Sequence, residues 1–356
     1  FKIKTRITGH GHNSNDGNYP HCCEWKNNTH YFYANGNQID NWSIWQTNDC
    51  ALNPVYPQGG TWPGSREGWC PGDKVKEHDI EVTPYVIADS ITFDYDITPV
   101  PASNLGMGGG NYVLSVHLFQ YDATAFTVDA EIYDVLNPTD NKIYSRFNPV
   151  CDDPMVVLRN GGSDTLTTVT LTYSVSGGVV ETYTWNGNLG FMQTENVYLP
   201  VSASSFWVGD GSNDFIVSVS NPNNVSDQNT DNDSYRTNFN LPAVHMAKFA
   251  VWLKANNYPG EDSYTIKDIN GNVVMSRSGL TTQTLYKDTV DLPYGCYTFE
   301  LTDIGNDGLY YWADAAQGSG YLQLRSMSGG LIKNFEPEFG RTVFYAFSMG
   351  NLNTID

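Results

Sequence analysis

Basic residues are scarce in this chain: 19 lysines and arginines stand against 39 aspartates and glutamates, a formal charge of −20 over 356 residues. Phosphate recognition depends on a Lys/Arg surplus, so nucleic acid is excluded as a partner. The carboxylates are scattered, and the acidic excess reads as solubility plus a few cation sites. No apolar run approaches the ~20 residues of a membrane-spanning helix. No signal peptide is present. The six cysteines include no CxxC pair, which argues against a zinc ribbon and suits an oxidising compartment. Long stretches rich in Ala, Leu, Glu and Lys are missing too, as is any sustained helical period.

What the chain has instead is aromatic and turn chemistry: 23 Tyr, 16 Phe, 9 Trp and 33 Gly. With plentiful Thr, Val and Asn, that mixture favours strands joined by tight turns. Strand-like segments recur at 29–33, 91–97, 112–119, 168–175, 215–219, 249–253, 297–301 and 342–347, separated by Gly, Asn, Asp and Pro clusters. The expected fold class is all-β, as a jelly roll, an immunoglobulin-like sandwich and a second small jelly-roll-like sandwich in tandem. Phe1-Lys2-Ile3-Lys4-Thr5-Arg6-Ile7 enters a strand pattern directly, which predicts sequence upstream.

Three domains are expected, at 1–148, 149–242 and 243–356, because 356 residues exceed one ordinary sandwich. The middle one, opening with Pro154-Met155-Val156-Val157-Leu158, resembles CARDB-type adhesion modules of bacterial surface proteins. The last resembles small jelly-roll modules carrying a Pro-Tyr-Gly-Cys-Tyr run and an Asp-Ile-Gly-Asn-Asp-Gly turn.

The informative chemistry lies in residues 9–72. Gly9-His10-Gly11-His12 is followed by Cys22-Cys23-Glu24-Trp25, by Thr29-His30 and by Cys50-Ala51-Leu52-Asn53-Pro54. The stretch closes with Trp62 and with Arg66-Glu67-Gly68-Trp69-Cys70-Pro71-Gly72. A Cys50–Cys70 bridge would close a loop worth about 3 kcal/mol in the chain-entropy model. An Arg and a Glu held by rigid loops beside tryptophans suit a sugar–amide ligand, the indoles covering a sugar face and the charged pair fixing polar groups.

The same residues resemble the C-terminal half of the peptide-N-glycosidase F family, whose second jelly roll has the order Gly-Trp-Gly-His, Cys-x-Glu-Trp, Thr-His, Cys-x-x-Asn-Pro and Arg-x-x-Trp-Cys-Pro-Gly. Here that order falls on His12, Cys22/Glu24/Trp25, Thr29/His30, Cys50/Asn53/Pro54 and Arg66/Trp69/Cys70/Pro71/Gly72. The resemblance covers residues 1 to about 125. It implies hydrolysis of the amide between asparagine and the first N-acetylglucosamine of an N-glycan. Glu24 and Arg66 are the implied catalytic residues, Glu24 binding substrate or positioning water and Arg66 pairing with a carboxylate or the amide oxygen. His10, His12, Trp25, Trp62 and Trp69 are the expected substrate-binding residues, and no cofactor is required. The sequence departs from the family's pattern at three points. The catalytic Asp belongs to the first jelly roll, the active-site Trp of the first turn is His10, and the cysteine expected four positions after Cys22 is Lys26. Cys22 and Cys23 are candidates for a vicinal disulfide or for pairing elsewhere. Cys151 and Cys296 either link domains or pair with one of those two.

Other readings compete. His10 and His12 alternate along a strand and would share a face, the arrangement of a copper site. Asp303, Asn306 and Asp307 alternate oxygen ligands as calcium loops do, and so does the run from Asp227 to Asp233; Asx-turns explain such runs equally well. Glu24 and Arg66 alone could be a structural ion pair. The expected function is therefore the C-terminal part of a secreted amidase acting on N-glycans or glycoproteins, its activity dependent on an upstream jelly roll. The alternatives are a glycan- or protein-binding adhesion protein without catalysis and a copper-binding oxidase. The expected location is secreted or on a bacterial cell surface, and the module combination resembles proteins exported by the type IX route.

Overall fold

In a computed structural model, residues 1–11, 23–47, 49–53, 55, 65–99, 110–147 and 149–352 are described. They form strands and short 3-10 turns, with no α-helix among the described residues, so the protein is all-β. Among the described residues no helix is long and apolar enough to cross a membrane. The chain divides into two compact units, one of Phe1–Asn53 with Gln58–Asp122, the other of Pro54–Pro57 with Ala123–Asp356.

The first unit packs two three-stranded antiparallel sheets. One has the order His78–Glu81, Lys2–His10, Asn111–Phe119; the other has Asn37–Ser43, Thr29–Ala34, Phe93–Ile97. Period-two patterning sets the faces: Ile3, Thr5 and Ile7 turn inward along the first strand, and His30, Phe32 and Ala34 along Thr29–Ala34. Ile3, Ile7, Phe32, Ile44, Ile80 and Val82 make the core. Asn35-Gly36, with φ of 51° and 79°, closes the hairpin between Thr29–Ala34 and Asn37–Ser43. Two consecutive positive φ values suit the type I′ turn, whose twist matches that of the strands. A two-stranded ribbon of Trp45–Gln46 and Arg66–Glu67 stands apart from the sheets.

The second unit holds two sandwiches. Sheets of three strands (Thr194–Tyr198, Met155–Asn160, Ala130–Asn137) and four (Val180–Leu189, Leu166–Val175, Asp214–Ser220, Ser234–Asn238) close over Trp185, Trp207, Tyr173 and Phe215. Five strands and four then enclose Phe249, Phe299, Phe339 and Phe347; the five-stranded sheet runs Ala243–His245, Thr342–Met349, Gly295–Asp303, Asp262–Asp268, Val273–Arg277. Ala130–Asn137 lies before the boundary expected at 148 and pairs with Met155–Asn160 beyond it, and the units divide after Asp122. Within the second unit, Cys151 is disulfide-bonded to Cys296. The Arg146 guanidinium, 2% exposed, donates to the carbonyls of Phe339 and Thr342 at 2.7 Å each.

Candidate functional site

The site in the first unit is assembled from three stretches that close backbone contacts bring together. Gly9 ends the buried part of its strand against Cys23, and a Cβ at position 9 would lie 2.2 Å from the Cys23 carbonyl oxygen. Gly68 adopts φ +83°, where a Cβ would lie 2.2 Å from the Ile7 oxygen. A side chain at either point would push the loops carrying Glu24 and Arg66 off the sheet. The Glu67 N–H donates to the Glu24 carbonyl at 3.0 Å, and the Gly68 N–H to that of Ile44 at 2.9 Å. Behind them, the Cys50–Cys70 disulfide anchors the segment that follows Trp69.

On this frame the Arg66 guanidinium lies 4.7 Å from the Trp25 ring centre and 4.4 Å from that of Trp69. Its Nη1 donates to Glu24 Oε1 at 3.0 Å. The Arg66 side chain is 5% exposed and that of Glu24 13%, so solvent reaches the carboxylate more readily than the guanidinium. Each indole face contributes about 0.5–2 kcal/mol to holding a cation in such a place, and the planar fork fixes the direction of the donors. Trp69 Nε1–H donates to the Gly9 carbonyl at 3.0 Å, and His10 stacks on the Trp69 ring at 5.6 Å. His10 Nε2 lies 2.8 Å from Thr8 Oγ1. Trp69 and His10 thus brace the guanidinium from behind.

The two-residue strand sends neighbouring side chains in opposite directions, and Glu67 points away from Arg66 into a second, fully buried cluster. Its Oε1 accepts from the Asn28 backbone N–H at 3.1 Å, lies 3.2 Å from His30 Nε2, and accepts from the Tyr112 hydroxyl at 3.4 Å. Its Oε2 is buried and has no hydrogen-bond partner. Tyr95, 2.6 Å from His30 Nδ1, and Tyr112 have their phenol pKa values pushed up, chiefly by burial, with the charge of Glu67 adding to it. The sequence reading did not single out Glu67. Its only signal is adjacency to Arg66 in a strand-length segment.

Of the residues expected at the site, Glu24, Arg66, Trp25, Trp69 and His10 converge, and Cys50 pairs with Cys70. His12 and Trp62 lie outside the described residues, as does Cys22; Cys23 is disulfide-bonded and buried. The strand that carries His10 ends there, and Gly11 follows at φ 82°; the His12 half of the expected copper pair is outside the described residues. Asp303, Asn306 and Asp307 belong to the second unit.

Residues 1–119 match the profile of the family described as peptide-N-glycosidase F, C terminal. That match covers the whole of the site just described. Two solved structures are similar to about a third of the chain. Peptide-N-glycosidase F, a glycosylasparaginase from Flavobacterium meningosepticum, is 24% identical over 32% of this chain and 37% of its own, with a TM-score of 0.29. Recombinant N-glycanase F is 26% identical with the same coverage and TM-score. The chain thus spans little more than a third of the length of either. No curated relative matches it. The peptide-N-glycosidase F relationship holds for the first unit; the second lies outside the family match.

Proposed function

We propose that the first unit is the substrate-facing half of a peptide-N-glycosidase F-type amidase, acting on the asparagine–N-acetylglucosamine link of N-glycoproteins. One observation carries this reading: Arg66 is clamped by Trp25 and Trp69 and paired with a carboxylate that solvent reaches. In this reading the Glu24 carboxylate orients the water or accepts from the scissile amide, while Arg66 holds Glu24 ionised and aimed. The acidic residue that completes the reaction would come from another jelly roll of the same protein. The edge strand Asn111–Phe119 supports such a partner domain. Val113, Leu114, Val116, Leu118 and Phe119 are all exposed on it, and an open apolar edge is a liability unless something covers it. The disulfides fit an oxidising location, secreted or at a cell surface, and the second unit would serve as an accessory or stalk.

The test has two arms. Titrating this chain with a chitobiosyl glycopeptide should give saturable binding, weakened about tenfold by Glu24→Gln. The protein extended by its other jelly roll should release glycan from the glycopeptide, and Glu24→Gln should lower kcat. Absence of both binding and release defeats the proposal. Binding without release by the extended protein favours the second reading, a glycan receptor. What supports that alternative is His10, standing where the family has tryptophan and already stacked on Trp69.

A further inference from the structure

The antiparallel pair Asp262–Asp268 and Gly295–Asp303 begins and ends with acid. Asp262 lies directly opposite Asp303 in the register, and both are buried, at 3% and 0% exposure. Glu261 precedes the first strand and the turn Ile304–Gly308 follows the second. Carboxylate oxygens of Glu261, Asp303 and Asp307 lie within 4.8 Å of one another. The turn is folded tightly around Asp303, whose Oδ1 accepts from the Gly305 N–H at 2.6 Å and whose Oδ2 accepts from the N–H groups of Asp307 and Gly308. Gly305 lets the Glu261 carboxylate come close: a Cβ there would lie 2.6 Å from Glu261 Oε2.

Those hydrogen bonds account for Asp303 but not for its neighbours. Both carboxylate oxygens of Asp262 are buried and have no hydrogen-bond partner. The amide of Gln317, fully buried, donates from Nε2 to Asp307 Oδ1 at 2.6 Å and to the Gly308 carbonyl at 2.9 Å, leaving its Oε1 without a partner. None of the ion pairs among the described residues involves Glu261, Asp262, Asp303 or Asp307. Buried carboxylates are ordinarily paired or bound to a metal, because an isolated buried charge is costly.

We propose that this corner binds a hard divalent cation, calcium in preference to magnesium, through Glu261, Asp303 and Asp307, with the Asp262 carboxylate and Gln317 Oε1 completing the oxygen cage. The donor set is all oxygen, with neither imidazole nor thiolate, which disfavours zinc and copper. Three carboxylates within 4.8 Å of one another, with the unpartnered oxygens of Asp262 and Gln317 buried beside them, suit the six to eight ligands of calcium better than the hydrated octahedron of magnesium. The cation would tie a strand start, a strand end and the 303–308 turn together, a structural role independent of the first unit's chemistry.

The experiment is thermal unfolding of the intact chain in EGTA, in calcium and in magnesium, with calorimetric titration of calcium chloride into the EGTA-stripped, dialysed protein. Saturating calcium should raise the second unit's Tm by about 5–10 °C at a hundredfold excess over Kd, and magnesium should do much less. Asp262→Asn and Glu261→Gln should each weaken calcium binding about tenfold or more. They should also raise Tm in EGTA, because each relieves the cost of crowding a carboxyl group among other carboxylates in the empty site; a merely structural carboxylate would not give that pairing of signs. Asp303→Asn is the sharper variant but risks the turn, and Glu261→Gln, at the half-exposed rim, keeps the test decisive. No calcium heat together with identical Tm in EGTA and calcium overturns the site. An equal response to magnesium overturns the calcium preference.

Discussion

Glu24 and Glu67 of the first unit sit beside a guanidinium, an imidazole and a backbone N–H. Glu261, Asp262, Asp303 and Asp307 of the second have, among the described hydrogen bonds, only backbone N–H groups and one glutamine. Both clusters are acidic and at least partly buried, yet only the first carries its own counter-charge. Charge that the chain neutralises itself makes a fixed, polarised surface suited to recognising a neutral polar ligand. Charge left uncompensated makes a place for a cation. A third acidic group sharpens the contrast. The loop from Asp227 to Asp233 looks as much like a calcium loop in sequence as the 303–308 turn does. There, however, the buried Asp129 accepts from the side-chain amides of Asn229 and Asn232 at 3.4 and 3.1 Å. Asp227 accepts from the backbone of Ala130 and Asn229. In that loop Asp129 and Asp227 are satisfied by side-chain amides and backbone N–H groups, as in Asx-turns, and the buried oxygens left without a partner are single ones, Asn232 Oδ1 and Asp233 Oδ1.

The comparison can be broken most forcefully at Arg66. Arg66→Ala should cost the first unit about 3 kcal/mol or more in denaturant unfolding, because Glu24 loses its partner and two indoles lose the cation between them. Arg66→Lys should cost less but still impair ligand binding, since an ammonium lacks the planar fork. A loss below about 1 kcal/mol for Arg66→Ala would mean that the clamp does not organise the site.

Next in size, replacing both Cys50 and Cys70 by serine should lower the first unit's stability by about 3 kcal/mol, as the chain-entropy model gives for a loop of this length. The measurement is the shift in urea midpoint, and the second unit's transition should stay in place.

The two units should also respond to pH with opposite signs. Glu77 is held down to about 2: partial burial would raise it, but the hydrogen bonds and charges of Lys4 and Arg6 outweigh this. Its contribution is present above its unfolded pKa of 4.5 and is lost as the pH falls toward 2. Asp233 is raised from 3.8 to about 6, by burial and then by Asp227 and Asp129. The folded form therefore holds its proton longer than the unfolded one, and stability falls as the pH rises from 3.8 to about 6. Asp233→Asn should make that decline shallower by the share Asp233 contributes, read from Tm against pH. The smallest effect belongs to the exposed Asp231: Asp231→Asn should leave the calcium response unchanged, and any loss of response there would move the cation to the wrong loop.

Much of the first unit was legible before the structure. Rare residues in a fixed order, Cys-x-Glu-Trp and Arg-x-x-Trp-Cys-Pro-Gly, marked the segment and its Glu24–Arg66 pair. Strand alternation gave the all-β class. Glu67 was not legible, because a two-residue strand shows no periodicity, and nothing in the sequence says that its partners would be His30 and Tyr112. Glu261 and Asp262 were missed for a related reason. A motif search reads one loop at a time, whereas this cluster joins residues some 40 positions apart through strand register. The pairing of Ala130–Asn137 with Met155–Asn160 across position 148 was not legible either, since it is non-local.

By itself the sequence determined the class of structure, the acidic surface, the cysteines available for bonding and the kinship of residues 1–119, because composition, alternation and residue order are properties of the chain read along its length. The tertiary structure alone decided which carboxylates keep company with a cation and which with one another, that Cys151 meets Cys296, and that Trp25 and Trp69 enclose Arg66. Charge balance inside a protein is set by distance through space, and distance through space follows from register and burial, which no local window of sequence contains.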